Sequence, residues 1–353
     1  MEIFNEKISG RGTIMKKIHI LYEFKNQAWG GGNQFLKLLR KKLRERGRYG
    51  ETVEDADIIL FNSHHCMKEV IKAKQKYPNK TFVQRMGSIF TYARGDKYLD
   101  RLVWSMNKNV ADGSIFQSKW QQSVMHNLGM PEGLETIIIN APDKEIFNNH
   151  EHISKLLNKT RIITTGWSTG DIKGFDIYSY LDEHLDFKKY QFIFVGNSKI
   201  KFKNIELIPP QESKEIANYL KSSDIFITAT RRDVCSDSLV EAIHCGLPIV
   251  ARNSAGHLEL IGNNGILFNG TEDVISAINE VALNLEKYHI ETNLPNDDDV
   301  VSEYYEFCCL VNHTTTPKTY RMGTYTNHSL NMIWQKIFEQ VNIILKRGGQ
   351  IFR

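Results

Sequence analysis

The sequence has little cysteine and no long apolar run. Five cysteines occur in 353 residues, an odd number without CxxC spacing, and we find no secretory leader ahead of them. This usage predicts a reducing, cytoplasmic setting and argues against a disulfide-stapled scaffold. No apolar run approaches the roughly 18 residues that a membrane-spanning helix requires, so the sequence predicts no such helix.

Positively and negatively charged residues are present in nearly equal numbers. The chain has 45 Lys and Arg residues against 41 Asp and Glu residues, a formal net charge of +4. This mild balance allows acidic partners without demanding them, and we expect no nucleic-acid partner. Hydrophobic residues make up 41% and charged residues 24%, the balance of a soluble globular protein. The length is sufficient for about two domains.

Short apolar runs alternate with longer helical patterns along most of the chain. This alternation predicts an α/β fold in which helices cover both faces of parallel sheets. The predicted strands are KKIHILYEF, ADIILFN, KTFVQRM, DGSIFQS, TRIITTG, YQFIFVGN, DIFITAT and GLPIVAR. The series breaks once, at the polar segment HEHISKLLNKT, and we place a domain boundary there, near residues 143–160.

The break separates two predicted domains, and the chain adds a predicted segment at each end, which gives four parts. They are an N-terminal extension over residues 1–14, a first domain over 15–150, a second domain over 151–295, and a C-terminal segment over 296–353. Both domains are predicted to be doubly wound parallel sheets. Two such domains leave a cleft at the carboxyl ends of their strands, where ligands bind in sheets of this kind.

A glycine cluster follows the first predicted strand and opens a basic helix. At Gly30, Gly31 and Gly32 bare N–H groups can face an anion, and a flexible strand-to-helix turn explains the same glycines. The following helix has apolar residues on one face and Lys and Arg around the rest. This pattern favours a core-packed helix with a solvated face, and contact of residues 36–48 with anionic lipid is the alternative.

Two further polar clusters are weaker indications of a site. His64 and His65 follow a predicted strand, and because adjacent side chains point opposite ways, we expect at most one to face the cleft. Neither has a partner at metal-ligand spacing, which favours a structural or surface role. The acids Asp297–Asp299 resemble the metal-binding acids of some sugar transferases, but their polar surroundings favour a solvated loop. The sequence therefore predicts no metal site.

The second half contains the stronger signal. Strand DIFITAT is followed by a loop with Asp233 and by a short helix beginning near Asp237 to Ser238, with Glu241 one turn inside. The positive N-terminus of this helix is predicted to face the cleft, where Lys173 also follows a strand. Carboxylates accept paired hydrogen bonds from vicinal hydroxyls, so the arrangement fits a ligand with phosphates and hydroxyls. The alternative is structural, since Ser238 and Glu241 have the spacing of a capping box.

The segment from DIFITAT to NNGILF resembles the donor-binding region of retaining GT-B glycosyltransferases of family 4. In that family two acids eight positions apart precede a small helix and a GxPIV strand. Further similar segments follow in the family's order, and together they cover most of residues 15–345. They are WGGGNQFLKLL, IFQSKWQQ, IIINAPDKEIF, GDIKGF, FVGN and SLNMIWQKIFEQV. The resemblance implies a GT-B fold whose last helix packs back on the first domain.

The resemblance also implies roles for individual residues. Glu241 holds the donor ribose, and Asp233 contacts the donor sugar. The backbone amides of Ser238 and Leu239 contact the diphosphate. Lys173 matches the family's phosphate lysine. Gly31 and Gly32 match the glycines that face the diphosphate from the other domain.

Two departures from the family pattern change the expected site. Ser168 stands where the family usually has an arginine, so the diphosphate would depend on Lys173, the helix N-terminus and Arg231 or Arg232. Met86 and Gly87 stand where a histidine or aspartate is usual.

The missing polar group is therefore sought elsewhere on the first domain. We take Arg85, Asp96 and His64 as the acceptor-side or cleft candidates. The first acid, Asp233, is also shorter than the usual glutamate.

These features predict a hexosyltransferase-type enzyme that moves a sugar from a nucleotide diphosphate donor to an acceptor hydroxyl on a glycan, lipid-linked or protein-linked molecule. Retention of the anomeric configuration is implied by the resemblance. We expect no metal and no cofactor besides the donor substrate. The alternatives are a GT-B protein that binds a nucleotide sugar without transferring it and a nucleotide-sugar epimerase. A dinucleotide dehydrogenase is disfavoured, because GGGNQF lacks the third glycine of GxGxxG.

Overall fold

The computed structural model describes residues 15–26, 30–150, 159–288 and 294–319. Its first sheet has five parallel strands that lie side by side in chain order. These strands are β1 (Ile18–Leu21), β2 (Ile58–Asn62), β3 (Thr81–Arg85), β4 (Gly113–Phe116) and β5 (Glu135–Ile137). The apolar runs of β2, β3 and β4 are buried along their whole length, which explains their lack of polar alternation.

The second sheet has six parallel strands in the order β11-β10-β9-β6-β7-β8. They are β6 (Thr160–Gly166), β7 (Tyr190–Gly196), β8 (Glu206–Ile208), β9 (Ile225–Thr228), β10 (Ile249–Arg252) and β11 (Gly265–Phe268). The strand order reverses between β6 and β9, because the chain leaves these two neighbours toward opposite edges of the sheet. A crevice opens at such a reversal, beyond the carboxyl ends of the two strands.

Helices cover both faces of each sheet. The helices of the first half are α1 (Gly31–Glu45), α2 (Met67–Lys76), α3 (Phe90–Arg94), α4 (Lys97–Asn109) and α5 (Lys119–Asn127). Those of the second half are α6 (Phe175–His184), α7 (Ser213–Lys221), α8 (Asp237–His244), α9 (His257–Ile261), α10 (Val274–Leu283), α11 (Leu285–Tyr288) and α12 (Asp297–Thr314). On the first sheet α1 and α12 pack on one face, and α2 and α4 on the other. On the second sheet α6 and α10 lie opposite α7, α8 and α9.

Each of the eight predicted strand runs contains an observed strand, which confirms the α/β prediction. The sequence interpretation omitted β5, β8 and β11. All three lie at sheet edges, and β8 is three residues long with two of them exposed. An edge strand buries less apolar surface and so leaves a weaker pattern in the sequence. The predicted domain limits stay a prediction, although the two sheets lie on either side of residues 143–160.

Helix α12 corrects the prediction of a solvated loop at residues 297–299. Asn296 caps the helix and forms a capping box with Asp299. Asp297 is buried and lies 3.0 Å from the ammonium of Lys42. The acids therefore start a helix and contact α1, which local polarity alone did not reveal. The predicted last helix, within residues 329–345, and the extension over residues 1–14 lie outside the described residues.

The carboxylate of Asp298 joins three parts of the chain. It lies 3.2 Å from Lys42 and 2.6 Å from Arg46 of α1, and 2.7 Å from Lys144 after the first sheet. These cations hold the pKa of Asp298 well below its ordinary value, with the hydrogen bond from Lys144 as the largest cause. We call this cluster of Asp298, Lys42, Arg46 and Lys144 the Asp298 clamp.

The basic face of α1 has many intramolecular partners. Besides the two cations of the Asp298 clamp, Arg44 pairs with Glu51, and the Arg40 guanidinium lies 3.7 Å from the ring centroid of Phe24. Charges engaged in this way are less available to a lipid surface, and membrane contact through residues 36–48 stays a prediction. No helix in the described part of the chain is long and apolar enough to cross a membrane.

Candidate functional site

Of the two predicted acids, Asp233 lies in the loop between β9 and α8, and Glu241 lies within α8. Buried Leu239, Val240 and Ile243 fix α8 against the second sheet, and Gly246, with φ +78°, ends the helical segment before β10. Ser236 occupies the N-cap position without a side-chain cap bond. The amides of the first turn lack intrahelical acceptors and make the N-terminus a site of positive potential.

The capping-box alternative for Ser238 and Glu241 is wrong in this structure. Ser238 is the second residue of α8, whereas a capping box requires the serine at the N-cap. Its hydroxyl lies 3.1 Å from the hydroxyl of Ser236 instead. The Glu241 side chain is therefore free of a capping role and lines a cavity beside α8.

The strand reversal brings Lys173 and Asp233 together. Lys173 ends a short 3-10 turn after β6, Asp233 follows β9, and its carboxylate lies 3.6 Å from the lysine ammonium. Gly174 is required here, because its φ is +72° and a Cβ would overlap the carbonyl oxygen of Ala229. Two residues far apart in the sequence thus meet at the crevice that the sheet topology creates.

Arg231, a predicted donor-binding residue, is held against the same turn. Its backbone N–H donates to the carbonyl of Ile172 at 2.7 Å, and its guanidinium pairs with the carboxylate of Asp176. The neighbouring Arg232 adopts a φ of +58° and places its guanidinium 5.0 Å from the ring centroid of Tyr92, across the cleft. The two arginines therefore have different partners, one in each half of the molecule.

Gly31 brings the first half of the chain against α8. A Cβ at this position would overlap the carboxylate oxygen Oδ2 of Asp237, whereas a Cβ at Gly32 would meet nothing within 4 Å. The amide Nδ2 of Asn140 donates to the other oxygen of Asp237 at 2.7 Å. Of the two predicted glycines, Gly31 is the one that close approach requires.

A cavity of about 200 Å³ lies between α1 and α8. Its lining includes Gly31, Lys37, Asn140, Asp237 and Glu241. Burial raises the pKa of Glu241 to about 8, with the charge of Asp237 as a second cause. Burial also raises the pKa of Asp237 to about 6. Two acids one helical turn apart thus share a poorly solvated site, which makes the charged form of each less favourable than it is in water.

The acceptor-side candidates have diverse surroundings. Arg85 is 2% exposed and donates to the side-chain oxygens of Asn62, Gln117, Asn140 and Tyr304. It forms part of a buried network behind the cleft.

Asp96 and His64 differ from Arg85. Asp96 caps α4 by accepting from the amides of Tyr98 and Leu99. His64 is partly buried, with its ring 4.3 Å from that of His65 and 4.8 Å from that of Phe90. Among the three candidates, His64 alone belongs to a partly open cluster of rings.

The positions where the family has a polar residue are apolar for a structural reason. Met86 is fully buried in a cluster with Phe90 and with Val234 from the loop before α8. The cluster therefore joins the two halves of the molecule through apolar contact. A charged side chain at residue 86 would have to be buried there, at a substantial free-energy cost.

Several site residues were missed by the sequence analysis. Asp237 and Asn140 form the contact across the cleft described above, and Glu259 accepts from the amides of Lys119 and Trp120 at the N-terminus of α5. Asn140 lies within the quoted segment IIINAPDKEIF, which was the one signal available for it. The sequence carried no signal for Asp237 or Glu259, because the partners of both residues lie in the other half of the chain.

Comparisons with known proteins agree with this architecture. Residues 161–284 match the family model described as group 1 glycosyl transferases. No curated protein sequence matches the chain. Within the described residues, no group of three His, Cys, Asp or Glu side chains is arranged to hold a metal ion.

Solved structures of similar fold cover most of the chain. Anabaena Alr3699/HepE in complex with UDP-glucose has a TM-score of 0.61 and 14% identity over 90% of this chain and 99% of its own. Sucrose-phosphate synthase from Thermosynechococcus elongatus has a TM-score of 0.55 and 12% identity over 89% of this chain and 81% of its own. A Listeria monocytogenes protein assigned as a UDP-N-acetylglucosamine 2-epimerase has a TM-score of 0.57 and 12% sequence identity. The similarity covers 87% of this chain and 100% of that protein. With the two parallel sheets, these neighbours identify the fold as GT-B.

Proposed function

We propose that the chain is a glycosyltransferase that moves a sugar from a nucleotide diphosphate sugar to an acceptor hydroxyl. The observation that carries the proposal is the set of groups around the α8 N-terminus. The Lys173–Asp233 pair lies at the strand reversal before the helix, Glu241 lines the cavity beside it, and Gly31 faces Asp237 across the cleft. The match of residues 161–284 to group 1 glycosyl transferases supports the same activity for this half of the chain.

The positive groups of the crevice suit the diphosphate. The amides of Ser238 and Leu239 lie in the first turn of α8, where an anion is favoured by the helix dipole. Lys173 adds a mobile positive charge at the same strand reversal. These groups would stabilise the negative charge that develops on the leaving diphosphate, which is the main catalytic demand of sugar transfer.

The acids suit the hydroxyls of the donor. Glu241 lines the cavity beside α8, and we assign it to the ribose. Asp233 lies next to Lys173, and we assign it to the sugar that is transferred. On the basis of the sequence resemblance, we also propose that the enzyme belongs to family 4, transfers a hexose and retains the configuration of the anomeric carbon. The donor acts as a substrate, and no cofactor is required by these roles.

The acceptor side is proposed to include His64. The rings of His64, His65 and Tyr22 form a partly exposed aromatic surface at the carboxyl edge of the first sheet, and the buried ring of Phe90 packs behind His64. Such surfaces bind the apolar faces of sugars and leave their hydroxyls to polar neighbours. The acceptor is therefore proposed to be a glycan or glycoconjugate.

The direct test is release of nucleoside diphosphate from a panel of nucleotide sugars, with and without glycan acceptors. Asp233→Asn should reduce transfer and leave the affinity for free nucleoside diphosphate almost unchanged, because its partner is the sugar. Glu241→Gln should weaken binding of donor and free nucleotide alike, because both contain ribose. Unchanged nucleotide affinity in Glu241→Gln would contradict the assignment.

A nucleotide-sugar epimerase is the second candidate, since a protein assigned to that activity shares the fold. Analysis of the sugar product distinguishes the two, because an epimerase changes the configuration of the sugar and needs no acceptor. A binding protein without transfer would retain affinity for the nucleotide sugar and release no nucleoside diphosphate at any acceptor concentration.

A further inference from the structure

Asp237 has an environment that is unusual for a carboxylate. It is the first residue of α8, one oxygen accepts from Asn140 at 2.7 Å, and the other lies against the backbone of Gly31. The side chain is partly buried in the cleft and lines the same cavity as Glu241. Its carboxylate therefore lies at the helix N-terminus that the proposed function assigns to the donor diphosphate.

The neighbouring cations are committed to other partners. Lys173 pairs with Asp233, and Arg85 is enclosed by four neutral side-chain oxygens. Within the described residues, no salt bridge to Asp237 is formed. An ionised Asp237 beside a diphosphate would therefore add a like charge that competes with the diphosphate for Lys173 and the helix N-terminus in a poorly solvated site.

We propose that Asp237 takes up a proton when the donor binds and then donates its O–H to a phosphate oxygen. The proposal rests on the proposed function and adds a specificity-determining residue to it. The proton comes from solvent and remains on the carboxyl group, so no covalent bond to the donor is formed or broken. In this state Asp237 supplies a hydrogen-bond donor at the N-terminus of α8.

The groups around Asp237 act on its protonation in opposite directions, and burial is the largest effect. Burial raises its pKa to about 6, and Asp233 raises it further, whereas the hydrogen bond from Asn140 and the charges of Arg85 and Lys173 lower it. Glu241 faces it from the next turn of α8, and its own pKa is raised. Lys37 and Lys41 line the opposite wall of the cavity. The added negative charge of a diphosphate would shift the equilibrium toward the protonated carboxyl group.

The experiment is calorimetric titration with UDP-glucose from pH 6 to pH 8, in two buffers that differ in ionisation enthalpy. Both phosphates of this probe are esterified, so it does not itself titrate in this range. The affinity of the wild-type protein should fall by close to tenfold per pH unit between pH 7 and pH 8, the limit for one linked proton. The buffer comparison should give close to one proton taken up.

The Asp237→Asn variant should lose the proton uptake that depends on Asp237, so its affinity should change little between pH 6 and pH 7, below the pKa of Glu241. With a pKa of about 6, only a small fraction of free Asp237 is protonated at pH 7.5, so the variant should bind up to about thirtyfold more tightly there. Asp237→Ser provides a second neutral variant if the first folds poorly, as judged by melting curves. Asp186→Asn, an exposed change in the same half of the chain, should retain the wild-type pH dependence.

Each other outcome overturns the proposal. If Asp237→Asn keeps the wild-type slope, the proton binds elsewhere. If Glu241→Gln abolishes the slope and Asp237→Asn does not, the proton belongs to Glu241. Binding of the wild-type protein without pH dependence contradicts the role of Asp237 and leaves the proposed function intact. Absence of binding to every nucleotide sugar at every pH contradicts both.

Discussion

Replacing Glu241 by glutamine should stabilise the protein at neutral pH. The folded state raises the pKa of this carboxyl group from 4.5 to about 8, chiefly through burial. Between these two values the group is protonated in the folded chain and ionised in the unfolded chain. Rising pH therefore favours unfolding, and the penalty is complete above pH 8. Glutamine is neutral in both states and removes this dependence.

The size of the effect follows from the pKa values. A difference of one pKa unit corresponds to 1.36 kcal/mol of unfolding free energy. The range from pH 5 to pH 7.5 covers most of the interval between the pKa of 4.5 in the unfolded chain and the pKa of about 8 in the folded chain. The free energy of unfolding of the wild-type protein should fall over this range by about 3 kcal/mol more than that of Glu241→Gln. A capping role would predict the opposite sign, a loss of about 0.5 to 2 kcal/mol in the variant.

Urea unfolding at pH 5, 6, 7 and 7.5, followed by circular dichroism, measures this difference. Glu183→Gln changes an exposed glutamate of α6 in the same half of the chain and should follow the wild-type curve. Parallel pH curves for wild type and Glu241→Gln would refute the reasoning. A stabilised variant with weaker nucleotide binding would show that Glu241 is retained for its ligand at the expense of stability.

Three further changes test the contacts across the cleft. Gly31→Ala should displace Asp237, because the new methyl group overlaps its carboxylate, and donor affinity measured by titration should change while a Gly32→Ala control stays close to wild type. Asp298→Asn should lower the free energy of unfolding by about 1 kcal/mol and so lower the melting temperature, because it removes a half-exposed carboxylate with three cationic partners. An unchanged melting temperature would contradict a stabilising role of the Asp298 clamp. Glu259→Ala should cost about 0.3 to 1 kcal/mol in urea unfolding, because two first-turn amides of α5 lose their carboxylate acceptor while the Ser118 cap remains, and Glu259→Gln should restore part of it.

The strands were predictable because buried parallel strands are continuous apolar runs. Segments such as β2 and β9 consist almost entirely of Ile, Leu and Phe, and their burial is complete. The acids before α12 had the opposite difficulty. Their sequence is polar throughout, and the cations that hold Asp298 lie far away in the chain, two of them on α1 more than 250 positions earlier and the third at Lys144.

The candidate site was predictable where one local segment carries the signal. Asp233, the start of α8 and Glu241 lie within nine residues, and the family resemblance adds Lys173 and Gly31. Asp237 lies in the same segment, but its importance depends on contact with Asn140, 97 positions earlier. Arg85 illustrates the converse, because a charged residue after a strand suggests a cleft position, whereas four neutral partners enclose it. Long-range pairing of this kind leaves no spacing that a single sequence can reveal.

Helix α12 has a consequence for the order in which the chain folds on the ribosome. Its Val300, Tyr304 and Val311 complete the apolar cluster around β1 to β4, and the Tyr304 hydroxyl accepts from Arg85 at 3.1 Å. The first sheet is complete at Ile137, yet about 160 further residues must be synthesised before this cover emerges. At about 5 to 20 residues per second, the nascent first half would wait roughly 10 to 30 s without this cover, and we expect chaperones to bind its apolar face during that interval.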